Sequence, residues 1–423
     1  MTHRVLTGIK PTGTPHLGNY VGAIRPAIAS SVLPDVESFY FLADYHALAG
    51  GADPERVHRS TLEVAASWLA LGLDPKRAHF YRQSDIPEVA ELTWLLACVA
   101  PKGLLNRAHA YKAAVDQNRE RGEDEDAGVE MGLYLYPVLM AADILLFNAH
   151  RVPVGKDQIQ HIEIARDLAQ RFNHRYGDIL TLPEAQVDES TATLPGKDGR
   201  KMSKSYDNAI ALFASSKALK DEIFAIVTNS QLPGEPKDTD GSALFALYQA
   251  FAGTEETEVM RAAFANGIGW GEAKQRVFER IDRDIAPARA RFDALMAAPQ
   301  EIEAILLQGA ADLRPRAQAL LKQMRDAVGL RPLAAQATAK KSEKKTKGPR
   351  IVQYKEGERF NFKLQDGAGR VLLVGPGYSD ARTAGAAITH FLGGEPAADL
   401  AALIEVAQDQ NAIEAARVAL RDA

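Results

Sequence analysis

The sequence predicts an α/β fold: a parallel sheet wrapped by crossover helices, then an α-helical domain, then a small α+β C-terminal appendage. Three observations predict it. Short apolar runs rich in β-branched and aromatic residues, at 4–9 (RVLTGI), 38–44 (SFYFLAD) and 78–82 (AHFYR), alternate with helical patterns. That alternation makes parallel sheets with helical crossovers. From 209 onward, strand patterns give way to amphipathic helical ones such as GEAKQRVFERIDRDIAPARARFDALM. Beyond residue 350, Phe360, Phe362 and Leu364 alternate, Asp366-Gly367 supplies a turn, and Val371 and Leu373 resume, which is a hairpin pattern.

A chain of 423 residues exceeds what one core supports, so two or three domains are expected. The first spans 1–208 and carries the sheet, with an insert at 100–130; the second, helical, spans 209–331. Within the first, 55–71 (ERVHRSTLEVAASWLAL) reads as a helix, with Val57, Leu62, Ala65, Trp68 and Leu69 near one face. The charged, glycine-containing stretch 117–129 (QNRERGEDEDAGV) reads as a mobile loop, either a solvated excursion or a lid. Residues 332–350 (PLAAQATAKKSEKKTKGPR) hold five lysines and an arginine against one glutamate, with no apolar period, and read as a basic linker. The rest, 351–423, is a small αβ domain.

Composition excludes several classes. Hydrophobic content of 46% and charged content of 25% are those of a soluble globular protein. No run has the length of a membrane span, and the N-terminus lacks the apolar core of a signal peptide. The lone cysteine, Cys98, leaves no internal disulfide or thiolate zinc site; within LTWLLACVA it reads as a buried small hydrophobe. A cytoplasmic location follows, with no membrane partner. At a net charge of −5 no DNA-binding surface is announced, and any polyanion site is a local patch.

Familiar motifs are missing. There is no G-x-x-x-x-G-K-[ST] phosphate loop, Gly375-x-Gly377 lacks a third glycine, and no serine sits in a G-x-S-x-G elbow. His161-x-Glu163 has no P-C-x-x-C companion for a zinc deaminase. Two short motifs remain. In GIKPTGTPHLGNY a strand ends in a loop where Gly13 and Gly18 admit a ligand to the backbone. His16 and Asn19 stand there as donors at the start of the next helix, where free N–H groups attract anions. In Lys201-Met202-Ser203-Lys204-Ser205, two lysines with adjacent hydroxyls suit the β- and γ-phosphates of a nucleotide. Ligands of parallel sheets bind beyond the carboxyl ends of the strands, where both the opening loop and Asp44-Tyr45-His46 fall.

With HLGN in the place of HIGH and KMSKS intact, the chain resembles a class I aminoacyl-tRNA synthetase. The block LYPVLMAADILLFNAHRVPVGKDQIQHIEIARDLAQRFN, 135–173, together with GNYxG at 18–22, is similar to bacterial tryptophanyl-tRNA synthetases. The resemblance covers roughly 3–330 and implies a Rossmann-like catalytic domain, an anticodon-binding helical domain, and a homodimer that uses the 100–130 region. It implies L-tryptophan, ATP with Mg²⁺, and tRNA(Trp) as the partners. The tail beyond 350 lies outside it and loosely resembles a small domain of poorly characterised bacterial proteins.

In PVLMAADIL, Met140, Asp143 and Ile144 stand at i, i+3 and i+4 and share a helical face. An acceptor-only carboxylate between apolar side chains suits the donor-only indole N–H, although a tyrosine hydroxyl could use it too. The resemblance implies that Leu6, Val152 and Val154 line the indole pocket, that Tyr136 and Gln158 hold the substrate amino group, and that His46 lies near its carboxylate. On the ATP side it implies Lys10, Pro11, Thr12, Gly18, Asn19, Gly155, Lys156, Asp157, Leu194, Lys201, Met202, Ser203, Lys204 and Ser205. Catalysis falls to His16, Asn19, Lys201, Lys204 and Lys10 as positioning and charge stabilisation, since a carboxylate attacking phosphorus needs no base. Two departures stand out: Lys10 in GIKPTG replaces the glutamine of GxQPSG, and Lys112 only approximates a basic position of the family. Three rivals remain: a tyrosyl-tRNA synthetase, a nucleotidyltransferase with an H-x-G-H-like turn, and a non-catalytic paralogue that binds tRNA or tryptophan.

Overall fold

The structure is a computed structural model that describes all residues except 1, 12, 50, 52, 188–193, 204–205, 334–347, 394–403, 406–409 and 422–423, and the side chains of 157, 404–405 and 410. It forms two compact units, Met1–Leu330 and Arg331–Ala423.

The first unit is built on a five-stranded sheet in the order β3-β2-β1-β4-β5. The strands are β1 (His3–Ile9), β2 (Val36–Leu42), β3 (His79–Arg82), β4 (Arg151–Pro153) and β5 (Glu184–Gln186), and every pairing is parallel. Helices cover the sheet, so the central strands are apolar on both faces: Ser38 through Leu42 are all buried. Strand order reverses at β1, which pairs with β2 on one side and β4 on the other. Such a reversal opens a crevice at the carboxyl end of the strands.

The first crossover runs through α1 (Leu17–Asn19), a π-helical turn at Tyr20–Ile24, and α2 (Arg25–Ser31). β2 stops at Leu42, two residues before its expected end, because Asp44 opens α3 (Asp44–Leu48). Asp44 Oδ1 accepts the N–H groups of Tyr45 and Ser84, each at 3.1 Å. α4 (Pro54–Ala70) starts where Asp53 caps the N–H of Arg56 at 2.8 Å. It buries Val64, Ala65 and Trp68 against Tyr40 and Phe80.

α5 (Glu88–Ala97), α6 (Lys102–Leu105), α7 (His109–Arg121), α8 (Met131–Leu146) and α9 (Ile159–Tyr176) follow. Two sequence expectations change here. Cys98 is exposed, not buried: Leu92, Leu95 and Leu96 take the inner face of α5, leaving Trp94 and Cys98, four apart, on the outer one. The stretch 117–129 is not a loop throughout. α7 continues to Arg121 and ends at Gly122 with φ 71°. The turn that follows is fastened down, since Asn118 Nδ2 donates to the carbonyls of Glu125 and Ala127 and the Tyr111 hydroxyl to Asp126.

From 216 to 328 the elements are α10 (Ser216–Phe224), α11 (Ala243–Phe251), α12 (Thr254–Ala265), α13 (Trp270–Ala297) and α14 (Pro299–Val328). α10 to α13 bury a core that also takes in Leu17, Val21 and Met202. α14 instead returns to the sheet, where Ala310, Leu313, Ala317 and Leu321 join the main core. At Gly309 a Cβ would lie 2.0 Å from the carbonyl oxygen of Phe80, so helix and strand touch backbone to backbone.

The second unit has an antiparallel sheet of β6 (Arg350–Glu356), β7 (Arg359–Gln365), β8 (Val371–Val374) and β9 (Ile404–Glu405), with α15 (Ala381–Gly393) and α16 (Gln410–Arg421). Phe362, Leu364 and Leu373 bury against Ala384, Phe391 and Ile413. In the β7–β8 hairpin, Asp366 accepts the N–H groups of Ala368 and Arg370, and Gly369, at φ 86°, takes the left-handed position. Most of the basic linker lies outside the described residues; its last residue, Arg350, already belongs to β6. Among the described residues no helix is long and apolar enough to cross a membrane.

Candidate active site

The loop after β1 turns into α1 through a reciprocal cap. The N–H of His16 donates to Asn19 Oδ1 at 3.0 Å, and the N–H of Asn19 donates to His16 Nδ1 at 3.3 Å. An accepting Nδ1 leaves the ring proton on Nε2, so His16 is a donor there. The loop borders a cavity of about 330 Å³ lined by Lys10, Gly13, His16, Asn19 and Ser203 among others. Four side chains able to donate a hydrogen bond and, among the described residues, no carboxylate meet at this cavity, a combination that suits an anion.

The first motif is laced by backbone to the segment that follows the second. The N–H of Leu17 donates to the carbonyl of Ile210, and that of Leu212 to the carbonyl of Pro15, each at 3.0 Å. Gly18 leaves room for this contact: a Cβ there would lie 3.0 Å from the His16 ring and 3.6 Å from Met202 Sδ. Met202 and Leu194 are buried in the same core, and the N–H of Met202 donates to the carbonyl of Leu194 at 2.8 Å.

A second cavity, of about 600 Å³, adjoins the first and shares Ile9, Lys10 and Ala23 with it. Leu6, His46, Tyr136, Met140, Asp143, Ile144, Val152, Val154 and Gln158, the residues expected around an amino acid, all line it, as does Gly155. Asp143 is 4% exposed. Its Oδ2 lies 2.9 Å from His46 Nε2, and its Oδ1 accepts from Gln83 Nε2 at 2.7 Å. Burial pushes the Asp143 carboxyl up, while His46 and Gln83 pull the other way. Gln83 is fixed in turn by accepting the N–H of Tyr45 at 3.1 Å. Across the cavity, His161 bridges Tyr136 and Gln158: its Nε2 meets the Tyr136 hydroxyl, and its Nδ1 lies 2.9 Å from Gln158 Oε1. Burial raises the Tyr136 hydroxyl, which stays protonated at neutral pH.

Some candidates stand elsewhere. Lys201, Lys156 and Lys112 are exposed and line neither cavity, and Pro11 is buried. Thr12, Lys204, Ser205 and the side chain of Asp157 lie outside the described residues. Three residues were missed from sequence: Gln83, His161 and Asn208. Gln83 follows the carboxyl end of β3, the position the crevice rule marks. His161 stands one helical turn after Gln158. Nothing in the sequence singles out Asn208, whose partners are mostly backbone.

Residues 2–283 match the family described as tRNA synthetases class I (W and Y), and the chain belongs to that family. It is 64% identical over 390 residues to a tryptophan–tRNA ligase of Xanthomonas campestris pv. campestris, covering 91% of this chain and 90% of that one. A tryptophan–tRNA ligase of Xanthomonas axonopodis pv. citri is 60% identical and spans 100% of this chain and 99% of its own. Among solved structures, the tryptophanyl-tRNA synthetase of Campylobacter jejuni, complexed with ADP and tryptophan, superposes with a TM-score of 0.70 at 41% identity. That match covers 77% of this chain and 99% of the Campylobacter chain.

Proposed function

We propose that the chain is a tryptophan–tRNA ligase: it activates L-tryptophan with ATP to tryptophanyl-adenylate and pyrophosphate, then passes the acyl group to tRNA(Trp). The observation that carries this reading is the pair of cavities joined at Lys10, one ending on a buried acceptor, the other on a cluster of donors. In the first step a carboxylate oxygen of tryptophan attacks the α-phosphorus, and the bond to the β-phosphate breaks to release pyrophosphate. Lys10 stands where the two substrates meet and places an ammonium beside the developing charge. His16 Nε2–H and Asn19 hold phosphate oxygens, and Lys201 and Lys204 stabilise the charge of the leaving pyrophosphate. Asp143 accepts the indole N–H. The Tyr136 oxygen and Gln158, ordered through His161, accept from the substrate ammonium. In the second step the 3′-terminal hydroxyl of tRNA attacks the acyl carbon and AMP leaves.

Mg²⁺ fits this site as a companion of ATP. The nucleotide cavity is lined by donors, and among the described residues no group of three or more His, Cys, Asp or Glu is placed to hold a metal, so phosphate oxygens and water would carry it. When bound it neutralises phosphate charge. The family resemblance supports a cytoplasmic homodimer with anticodon recognition by α10 to α14; a sedimentation mass of twice the chain would bear out the dimer.

Amino-acid-dependent ATP–pyrophosphate exchange tests the reading. Exchange with tryptophan, at least about a hundredfold above tyrosine or phenylalanine, and charging of tRNA(Trp) are expected. Preference for tyrosine would make this a tyrosyl enzyme. Exchange without tRNA charging would make it a nucleotidyltransferase, and tryptophan binding without exchange a non-catalytic paralogue.

A further inference from the structure

Asn208 follows the second motif and is 2% exposed, although its side chain is fully polar. Its amide is spent on the motif itself. Oδ1 accepts the N–H of Ser203 at 2.8 Å, while Nδ2 donates to the carbonyl of Lys201 at 3.1 Å and to Asp198 Oδ1 at 2.7 Å. Its own carbonyl accepts the N–H of Lys197 at 3.1 Å, closing the neck of the loop. The fit is tight: a Cβ on Gly196 would lie 2.4 Å from the Asn208 side chain. Asp207, just before it, holds a left-handed backbone at φ 51°, a conformation tolerated by aspartate but unfavourable for most residues. Two residues further on, Ile210 accepts the N–H of Leu17, so the chain that leaves Asn208 is pinned to the first motif. One buried amide therefore joins the backbone of Lys201 and Ser203 to a segment whose place is set by the His16 loop.

We propose that Asn208 is the positioning residue that holds the Lys201–Ser203 backbone at the nucleotide cavity, whose lining includes Ser203. The inference deepens the ligase reading and rests on it. A buried amide bridging two backbone groups and a carboxylate has no water to replace its partners once lost. The loop meets phosphates that leave as pyrophosphate, so Asn208 matters for adenylate formation and not for transfer of the acyl group from adenylate to tRNA.

The test uses the full chain and compares Asn208→Ala and Asn208→Asp with the unaltered protein. Asn208→Asp keeps the acceptor for Ser203 but loses both donors and sets a carboxylate against Asp198. Tryptophan-dependent exchange is measured with ATP and tryptophan varied separately, and transfer to tRNA in a single turnover from preformed adenylate. We expect kcat/KM for ATP to fall at least about tenfold in both variants, with KM for tryptophan and the transfer rate within about twofold. Adding Asp198→Asn to Asn208→Asp puts a donor back across the same contact and recovers part of the ATP loss. A folded variant with exchange within about twofold of normal overturns the proposal, as does a parallel loss in exchange and transfer, which a merely structural residue would produce. If Asn208→Ala does not fold, the isosteric Asn208→Asp and its rescue decide. An unaltered chain inactive with every amino acid overturns the ligase reading itself, and the premise with it.

Discussion

At Asp143 one carboxylate is tied into the fold and, on the proposed reading, receives the ligand as well. Both of its oxygens already engage protein groups, His46 at 2.9 Å and Gln83 at 2.7 Å, and each retains a lone pair for a further donor. Asp143→Ala strands His46 and Gln83 as well as the indole N–H, and a buried donor left unpaired costs about 1–3 kcal/mol. Tryptophan kcat/KM should therefore fall about 10- to 100-fold. Phenylalanine, which offers no N–H, should lose far less, so discrimination narrows; an unchanged ratio of the two in exchange assays would contradict the pocket. The carboxylate was legible in the sequence because Met140, Asp143 and Ile144 share a helical face. Its supports were not. Gln83 and His46 reach it across 60 and 97 residues of chain, and no local pattern encodes a contact made by folding. His46, expected near the substrate carboxylate, lines the same cavity, and its bond to Asp143 is likewise a product of folding.

Among the elements, α14 decides how the helical region relates to the sheet. Its periodicity announces a helix, but its partner is invisible in the sequence, because an apolar stripe fits a bundle neighbour and a sheet equally well. The structure puts it on β3 and α5, fastened by Arg314, whose guanidinium meets Glu88 at 3.0 Å. Gly309→Ala should destabilise the fold by about 1–3 kcal/mol, the cost of overpacking, since backbone rather than a yielding side chain lies 2.0 Å from the added carbon. A melting temperature equal to that of the unaltered protein would refute the close approach. Glu88 gives the second prediction here. Burial alone would raise its carboxyl, but hydrogen bonds from Arg314 and Gln318 overcome that and hold it below the usual carboxylate range. A depressed carboxyl contributes stability that is complete above its unfolded value of 4.5 and is lost as pH falls through the folded value. Glu88→Gln should thus be less stable than the unaltered chain at neutral pH, by about 1 kcal/mol, and the gap should close on acidification below 4.5. Denaturant melts at several pH values measure it, and a gap that widens in acid would reverse the sign.

For the whole molecule, the sequence places a change of character in the basic stretch 332–350, and the structure divides the chain into units at 330/331. That change was readable because lysine-rich, aperiodic sequence cannot bury a core. The β6 strand was not readable, since RIVQYKE alternates weakly and gains its meaning only by pairing with β7. Every described residue lining the two cavities belongs to the first unit, and the second closes its own core around Phe362, Leu364 and Phe391. The Campylobacter chain is matched over 99% of its length by 77% of this one, so the shared fold needs no counterpart to the remaining quarter. Truncation after Leu330 is accordingly expected to leave tryptophan-dependent exchange within about twofold of the full chain, the scatter of a substitution remote from the chemistry. tRNA is a separate matter: the truncated chain lacks the five lysines of the linker, and if these meet phosphate, its tRNA affinity will fall less steeply with salt. Measuring exchange and salt-dependent tRNA binding on the same two proteins separates the roles. Lost exchange would make the second unit part of the catalytic fold, and identical salt slopes would remove the linker from tRNA binding.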